Sequence, residues 1–277
     1  MPNESDGTES NNNLAKRIDK LPDEINSLKD ICQKAIQSIK KNLVITIVIL
    51  VVLTITLVIL ALSPYLSSYS IGYALRSNYE MSNMNGNKIT TWVSWHVAED
   101  DLFHIHVQDS PEVTKERMQV IADVILSKKT IVVGNETYYE GWAGALHDIP
   151  HQNLKNIIPF HFHVMTTSPE SGNIVIKLTN LENHDGYTGY TKITASNLHH
   201  QILKSVITIY HVDKLTDSQL GLILRHELGH AFGLKHSDNP DDLMYPVISR
   251  SLPYVSKCDA QTIVNLYNGT GTNEILC

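Results

Sequence analysis

His226-Glu227-Leu228-Gly229-His230-Ala231-Phe232-Gly233-Leu234-Lys235-His236 decides the reading of this 277-residue chain. Two histidines four residues apart share one face of a helix, so both imidazoles can bind one metal ion. Glu227 follows the first of them, where its carboxylate reaches a water on that metal. Gly233 comes three residues after His230. Glycine accepts a positive φ at no steric cost, so the helix can stop there and the chain can turn back. The turn returns His236 as a third ligand. Three neutral imidazoles leave one tetrahedral position open, which is the arrangement of a catalytic rather than a structural zinc. Five fixed positions in eleven arise by chance in a chain of this length on the order of once in ten thousand.

Upstream, Thr216-Asp217-Ser218-Gln219 is a capping box that fixes where this helix starts, and Leu220, Ile223, Leu224 and Leu228 continue it. A second helix is expected over residues 111–127, from the spacing of Val113, Met118, Ile121, Val124 and Ile125. Ser110 would be its N-cap and Pro111 its first residue. Apolar and β-branched runs within 91–107, 160–165, 174–178 and 206–212 read as strands.

Residues 43–62, LVITIVILVVLTITLVILAL, carry no charge. At about 1.5 Å per residue they span about 30 Å, the thickness of a bilayer's hydrocarbon core. The run is too long, and too far from Met1, for a signal-peptide core. Its apolar residues face every direction, unlike a soluble core helix. Pro64 ends it. Lys29, Lys34, Lys40 and Lys41 precede it and Arg76 follows. Flanking cations stay inside, so the expected arrangement is a single-pass cell-membrane protein. Residues 1–42 would be cytoplasmic and the C-terminal domain extracellular. Asn135-Glu136-Thr137 and Asn268-Gly269-Thr270 are glycosylation sequons on the outer side.

The flanking segments differ from both. Residues 1–13 are polar and read as disordered. Leu14, Ile18, Leu21, Ile25, Leu28, Cys32, Ala35 and Ile39 then form a heptad seam, which Pro22 interrupts, so the stable helix is expected to start near Pro22. Residues 22–42 admit two readings: a short coiled coil making a homo-oligomer, or a single amphipathic helix that lies on a membrane surface or extends the next segment. Residues 63–90, rich in Ser, Tyr and Asn, read as a stalk, and 91–277 as the globular domain. Acidic and basic side chains balance before residue 43, so the net charge of −7 lies beyond residue 62, as do all 14 histidines. An acidic domain argues against nucleic acid as a partner, because phosphates need a basic surface. Cys258 and Cys277 follow the apolar run; a bridge between them and two free thiols are both open.

The stretch His226–His236 with Ser237 resembles the metzincin zinc signature in its matrixin branch, and Leu243-Met244-Tyr245-Pro246 resembles the Met-turn that follows it. Asp259, Ile263, Leu266, Tyr267 and Gly269 resemble the helix that closes the matrixin catalytic domain. Residues 138–146 loosely resemble the end of its first helix. The resemblance implies an α+β, metzincin-like zincin: a twisted mixed sheet with two helices in an upper subdomain and a small C-terminal subdomain with one helix. It implies one catalytic Zn2+ on His226, His230 and His236. Glu227 would be the general base for a zinc-activated water that hydrolyses a peptide or protein substrate. Met244 would be an apolar floor under the ligands, with Tyr245 structural. Leu222, Pro246, Val247 and Ile248 would form the substrate pocket. No cysteine lies between residues 33 and 257, so latency through a thiolate on zinc is not expected, and no hemopexin-like domain fits the length. His184-Asp185-Gly186 and His211-Val212-Asp213 are the residues weighed for a structural metal, against a reading as polar loop. His104/His106 and His161/His163 read as solvated strand pairs. The rival reading is a membrane-tethered binding protein with a vestigial zinc site; the intact Glu227 argues against it.

Overall fold

The computed structural model describes residues 7–66, 75–98, 101–149, 154–167, 172–248 and 253–269. The chain divides into two compact units, Met1–Gly72 and Tyr73–Cys277.

The first unit is built on one helix, α1 (Gly7–Leu66), about 90 Å long at 1.5 Å per residue. It differs from the sequence reading at both ends. Residues 7–13 are helical rather than disordered, and the helix passes through Pro22, whose ring removes one rung of the ladder without ending it. The helix also runs two residues past Pro64. Every side chain from Asn26 to Val58 is exposed, with a mean hydropathy of 2.5 in the most apolar window. By length and composition this helix could cross a membrane. The hydroxyls of Thr46 and Thr54 donate back to the carbonyls of Asn42 and Val51, and Thr56 to those of Val52 and Leu53. The polar atoms in the apolar run are thus satisfied inside the helix.

The second unit is an α+β domain. Its strands and helices, in order, are β1 (Leu75–Ser82), β2 (Phe103–Gln108), α2 (Lys115–Leu126), β3 (Thr130–Val133), β4 (Glu136–Tyr139), α3 (Trp142–His147), β5 (Phe162–Thr167), β6 (Ile174–Leu178), β7 (Gly189–Ser196), β8 (Gln201–Ile209), α4 (Asp217–Ala231), β9 (Val247–Ile248), β10 (Val255–Ser256) and α5 (Lys257–Tyr267). Seven strands form a mixed sheet in the order β5-β2-β6-β8-β7-β1-β9, and β10-β4-β3 form a small second sheet. Helices α2 and α4 pack against each other, and α4 lies against β7, β8 and β1. Cys258, at the start of α5, is disulfide-bonded, whereas Cys32 is free; Cys277 lies outside the described residues.

Several elements differ from the sequence reading for identifiable reasons. Helix α2 starts four residues later than expected, because Thr114 and not Ser110 caps it, accepting from the Arg117 amide at 3.3 Å. Residues 91–98 make only one bridge, Ser94 to Gln201, and are held instead by the burial of Val93 and Trp95. The 138–146 segment is not the end of the first helix: β4 leads into a separate short α3, and α2 has already ended at Leu126. The largest departure is β1, inside the segment read as stalk. Its eight residues, LRSNYEMS, pair with β7 in parallel from Ser77 opposite Gly189 to Ser82 opposite Thr194. On its other side Leu75 and Arg76 pair with Ile248 and Val247 of β9. The folded unit therefore begins near Tyr73 rather than 91.

Candidate metal centre

The capping box forms as the sequence predicts. Thr216 Oγ1 accepts from the Gln219 amide at 3.2 Å, and Gln219 Oε1 accepts from the Thr216 amide at 3.0 Å. Helix α4 then runs beneath the sheet, every residue from Leu220 to Ala231 buried. Its end is closed from two directions. The Trp95 indole donates to the Ala231 carbonyl at 2.9 Å, and the Tyr267 hydroxyl donates to the Phe232 carbonyl at 3.3 Å. Gly233 then turns the chain with φ +107°, and a Cβ there would collide with the Val93 carbonyl. Both the dihedral and the space require glycine.

The turn brings His236 to His226 and His230. Ring centroids of His236 lie 5.4 Å from His226 and 4.6 Å from His230, and one ligand-type nitrogen from each ring falls within 4.8 Å of the others. His226 Nδ1 lies 2.6 Å from the Leu243 carbonyl and His230 Nδ1 lies 2.8 Å from the Leu234 carbonyl. A carbonyl only accepts, so each Nδ1 carries the proton and each Nε2 presents a lone pair. Yet the two Nε2 atoms face each other at 3.0 Å, and His236 Nε2 is buried with no hydrogen-bond partner among the described residues. Two lone pairs that face each other with no proton between them, and a third ring nitrogen left unpartnered beside them, fit a shared cation, and the all-imidazole set suits zinc. Burial holds all three rings neutral: His226 is pushed down to about 3, His236 to about 4, and His230 well below the usual range. Neighbouring histidines depress His230 further, while the Leu243 and Leu234 carbonyls act in the opposite sense on His226 and His230.

Met244 lies directly under α4. It is fully buried, and a Cβ on Gly229, between the two helical ligands, would overlap its sulfur. The loop carrying it is closed by the Ser237 amide on the Met244 carbonyl at 2.9 Å. Tyr245 donates its amide to Asp242 at 3.2 Å. Leu222 is buried in the core. Pro246, Val247 and Ile248 form the segment beside β1.

Glu227 is fully buried, and its carboxylate is held between two strands. Ser77 on β1 donates to Oε1 at 2.5 Å, and Thr191 on β7 donates to Oε2 at 2.6 Å. Gly189 makes room, since a Cβ there would overlap Oε1. Burial pushes the carboxyl up to about 8, with the two hydroxyl bonds pulling the other way. Tyr79, two residues along β1 from Ser77, stacks on His230 with centroids 4.2 Å apart and meets His236 edge-on at 5.3 Å. Ser77, Tyr79, Gly189 and Thr191 carry no spacing signal in the sequence; only the strand pairing brings them here.

Residues 151–268 match the model of the matrixin family. The domain is matrixin-like. Stromelysin-1 from Rattus norvegicus is 42% identical over 59 residues, 20% of this chain and 12% of that protein. The matrixin-like domain fits the metzincin fold, with its mixed sheet, the helices α2 and α4, and one C-terminal helix α5. The family match supports a zinc metalloprotease, and the histidine cluster is the place in it where a metal could sit. Among the described residues no other group of three or more ligand-type side chains gathers. His211, at φ +51°, has its Nε2 3.9 Å from Glu182, and neither it nor His184 joins a metal cluster. His104 and His163 do pair across β2 and β5, their Nδ1 atoms 3.4 Å apart, but His106 is buried rather than solvated.

Proposed function

We propose that this chain is a membrane-anchored zinc-dependent endopeptidase, with zinc on His226, His230 and His236 and Glu227 as its general base. The observation that carries the reading is the convergence of three imidazole nitrogens, two of them left unprotonated by the carbonyls behind their rings. Zinc bound there supplies a Lewis acid that polarises a carbonyl and acidifies water. The chain's own residues do the rest. The Leu243 and Leu234 carbonyls fix the tautomers of the two helical ligands. Met244 fills the space beneath them and excludes water. Glu227 takes a proton from the attacking water and passes it to the leaving nitrogen. Thr191 orients that carboxylate. Substrates are peptides or proteins in extended form, with Pro246, Val247 and Ile248 along one side of the chain being cut. Residues 43–62 would anchor the protein once across a cell membrane with the domain outside. The exposed sequon Asn135 in the β3–β4 turn is compatible with that side.

The second reading, a tethered binder with a vestigial site, draws on one observation: both oxygens of Glu227 already accept hydrogen bonds. Glu227→Gln separates the two. It should keep zinc and lower the peptide-cleaving rate by at least roughly 10²-fold, the scale of general-base catalysis, mainly in kcat. Equal rates in Glu227→Gln and wild type with zinc bound would sink the mechanism. Each of His226→Ala, His230→Ala and His236→Ala should lose zinc; full occupancy in His236→Ala would refute the three-histidine site. Protease added to intact cells should release the domain and spare residues 1–42, and protection of the domain would overturn the topology.

A further inference from the structure

A second group of histidines gathers at the other edge of the sheet. Strand alternation turns Phe103, Ile105 and Val107 of β2 toward the core, where Phe103 meets Phe232. It turns His104 and His106 to the opposite face. The parallel register of β2 with β5 sets His104 directly opposite His163. The two rings meet edge to face with centroids 5.5 Å apart, and their Nδ1 atoms lie 3.4 Å from each other. His106 stands edge-on to His104 at 6.2 Å. We propose that His104 and His163 form a two-histidine site for a divalent transition-metal ion, which clamps the edge strand β5 to β2. The site shares no ligand with the centre on α4 and does not depend on the peptidase reading.

Three features distinguish a metal site from a chance pair of surface rings. The first is spacing. Two imidazole nitrogens held at about 2.0–2.1 Å from one tetrahedral ion lie about 3.3 Å apart. The Nδ1 atoms of His104 and His163 have that separation, which exceeds the about 2.7–3.2 Å of a good hydrogen bond from N–H. At the α4 centre the corresponding Nε2 atoms lie 3.0 Å apart. The second is preparation. Asn173 pins the backbone of His104 on both sides: its side-chain oxygen accepts from the His104 amide at 2.9 Å, and its own amide donates to the His104 carbonyl at 2.9 Å. The neighbouring His106 is buried against Gly172, where a Cβ would overlap the ring. The third is access. His163 is exposed and His104 half-buried, so water can complete the coordination, and imidazole with water suits zinc, copper or nickel. His161 is the exception among these histidines, because its ring lies against Phe160 with centroids 4.1 Å apart. An ion at this place would have mechanical value. β5 is the last strand in the seven-strand order and is held by a parallel ladder to β2 alone. Parallel pairing is slightly weaker per residue than antiparallel, and an ion bound only in the folded register stabilises that register.

The test uses the full-length chain in detergent, titrated with Zn2+. Bound zinc is counted by equilibrium dialysis and the melting temperature is followed in parallel. Wild type is compared with His104→Gln, His163→Gln and His161→Gln, and circular dichroism checks folding. His163 is exposed, so its replacement tests the site even where His104→Gln disturbs the strand. Wild type should bind one equivalent more than either His104→Gln or His163→Gln, and His161→Gln should match wild type. The difference is what counts, so the result is independent of whether the α4 centre is filled. Filling the extra site to a hundredfold above its Kd should raise the wild-type melting temperature by about 5–10 °C relative to His163→Gln. Equal zinc counts in wild type and His163→Gln would overturn the proposal. So would loss of the equivalent in His161→Gln as complete as in His163→Gln, since that would mark diffuse binding by surface histidines. An extra equivalent that leaves the melting temperature unchanged would overturn the clamp.

Discussion

The candidate centre is approached from two sides that are built differently. From below, α4, the Gly233 turn and the Met244 loop reach it within the 28 residues from Asp217 to Met244, each contact fixed by spacing along the chain. From the edge, β1 reaches the same histidines from 150 positions upstream of Glu227, through backbone pairing that any extended segment can make. The first side cannot be altered without losing the ligands. The second touches the ligands without contributing one. Two surfaces in contact with the same imidazoles thus differ in what holds them: one by side-chain identity, the other by a ladder of amides.

The comparison can be broken most forcefully at Gly233. Gly233→Val puts a branched residue at φ +107° and drives its Cβ into the Val93 carbonyl. The expected cost is about 3–5 kcal/mol, with loss of zinc through His236. Thermal melts and zinc content check this; a stable, zinc-replete variant would mean that the turn is not the keystone of the lower side.

Thr191 and Ser77 sharpen the contrast, since both donate to Glu227. Thr191→Val keeps the shape and strips a buried carboxylate oxygen of its donor, at about 1–3 kcal/mol. It should also depress kcat. Ser77→Ala removes the matching bond from β1 at a comparable cost of about 1–3 kcal/mol, and should slow cleavage less, since only Thr191 also reaches the Glu227 carbonyl, at 3.2 Å. If Ser77→Ala slows cleavage as deeply as Thr191→Val, the two sides are equivalent and β1 belongs to the working centre.

The smallest expected effect is a pH profile of the zinc-free chain. The histidines, pushed down from 6.5, bind fewer protons folded than unfolded, so their contribution is present above about 6.5 and is lost as pH falls toward 4. Glu227, pushed up from 4.5 to about 8, has the opposite sign: its contribution is present below 4.5 and is lost as pH rises toward 8. Asp259, raised by burial and then by Asp242, contributes with the same sign as Glu227. The melting temperature should therefore peak near 6.5, and Glu227→Gln should flatten the curve between 7 and 8. An unchanged slope there would place the Glu227 carboxylate in water rather than under β1.

Legibility followed the same divide. The capping box, the histidine spacing, the positive-φ glycine and the Met-turn are all local patterns, and each is where the sequence puts it. β1 reads as stalk because its inward positions are Ser77 and Tyr79, not Val or Ile. A strand whose buried residues meet a carboxylate and two imidazoles shows no apolar alternation. β7 escaped notice for a related reason: Gly189, Thr191 and Ala195 are inward and small, leaving room for α4. The helix start at Thr114 is hidden in the sequence because Ser110-Pro111 is the stronger local signal, and the tie from Arg117 to the Val212 carbonyl, 95 positions away, exists only in three dimensions. Cys258 illustrates a third case, where sequence left two chemistries open and the bonded one is found.

The closed end of α4 has a consequence for how the protein is made. The helix end that precedes His236 is tied to Trp95, 136 positions before Ala231, and to Tyr267, 35 positions after Phe232. Contacts so far apart form late, after the intervening chain has been laid down. A growing chain that already holds all three histidines still lacks the phenol of Tyr267, which closes the helix end before them. The geometry of the three imidazoles is therefore set by chain on both sides of them, and is complete only once Tyr267 has followed.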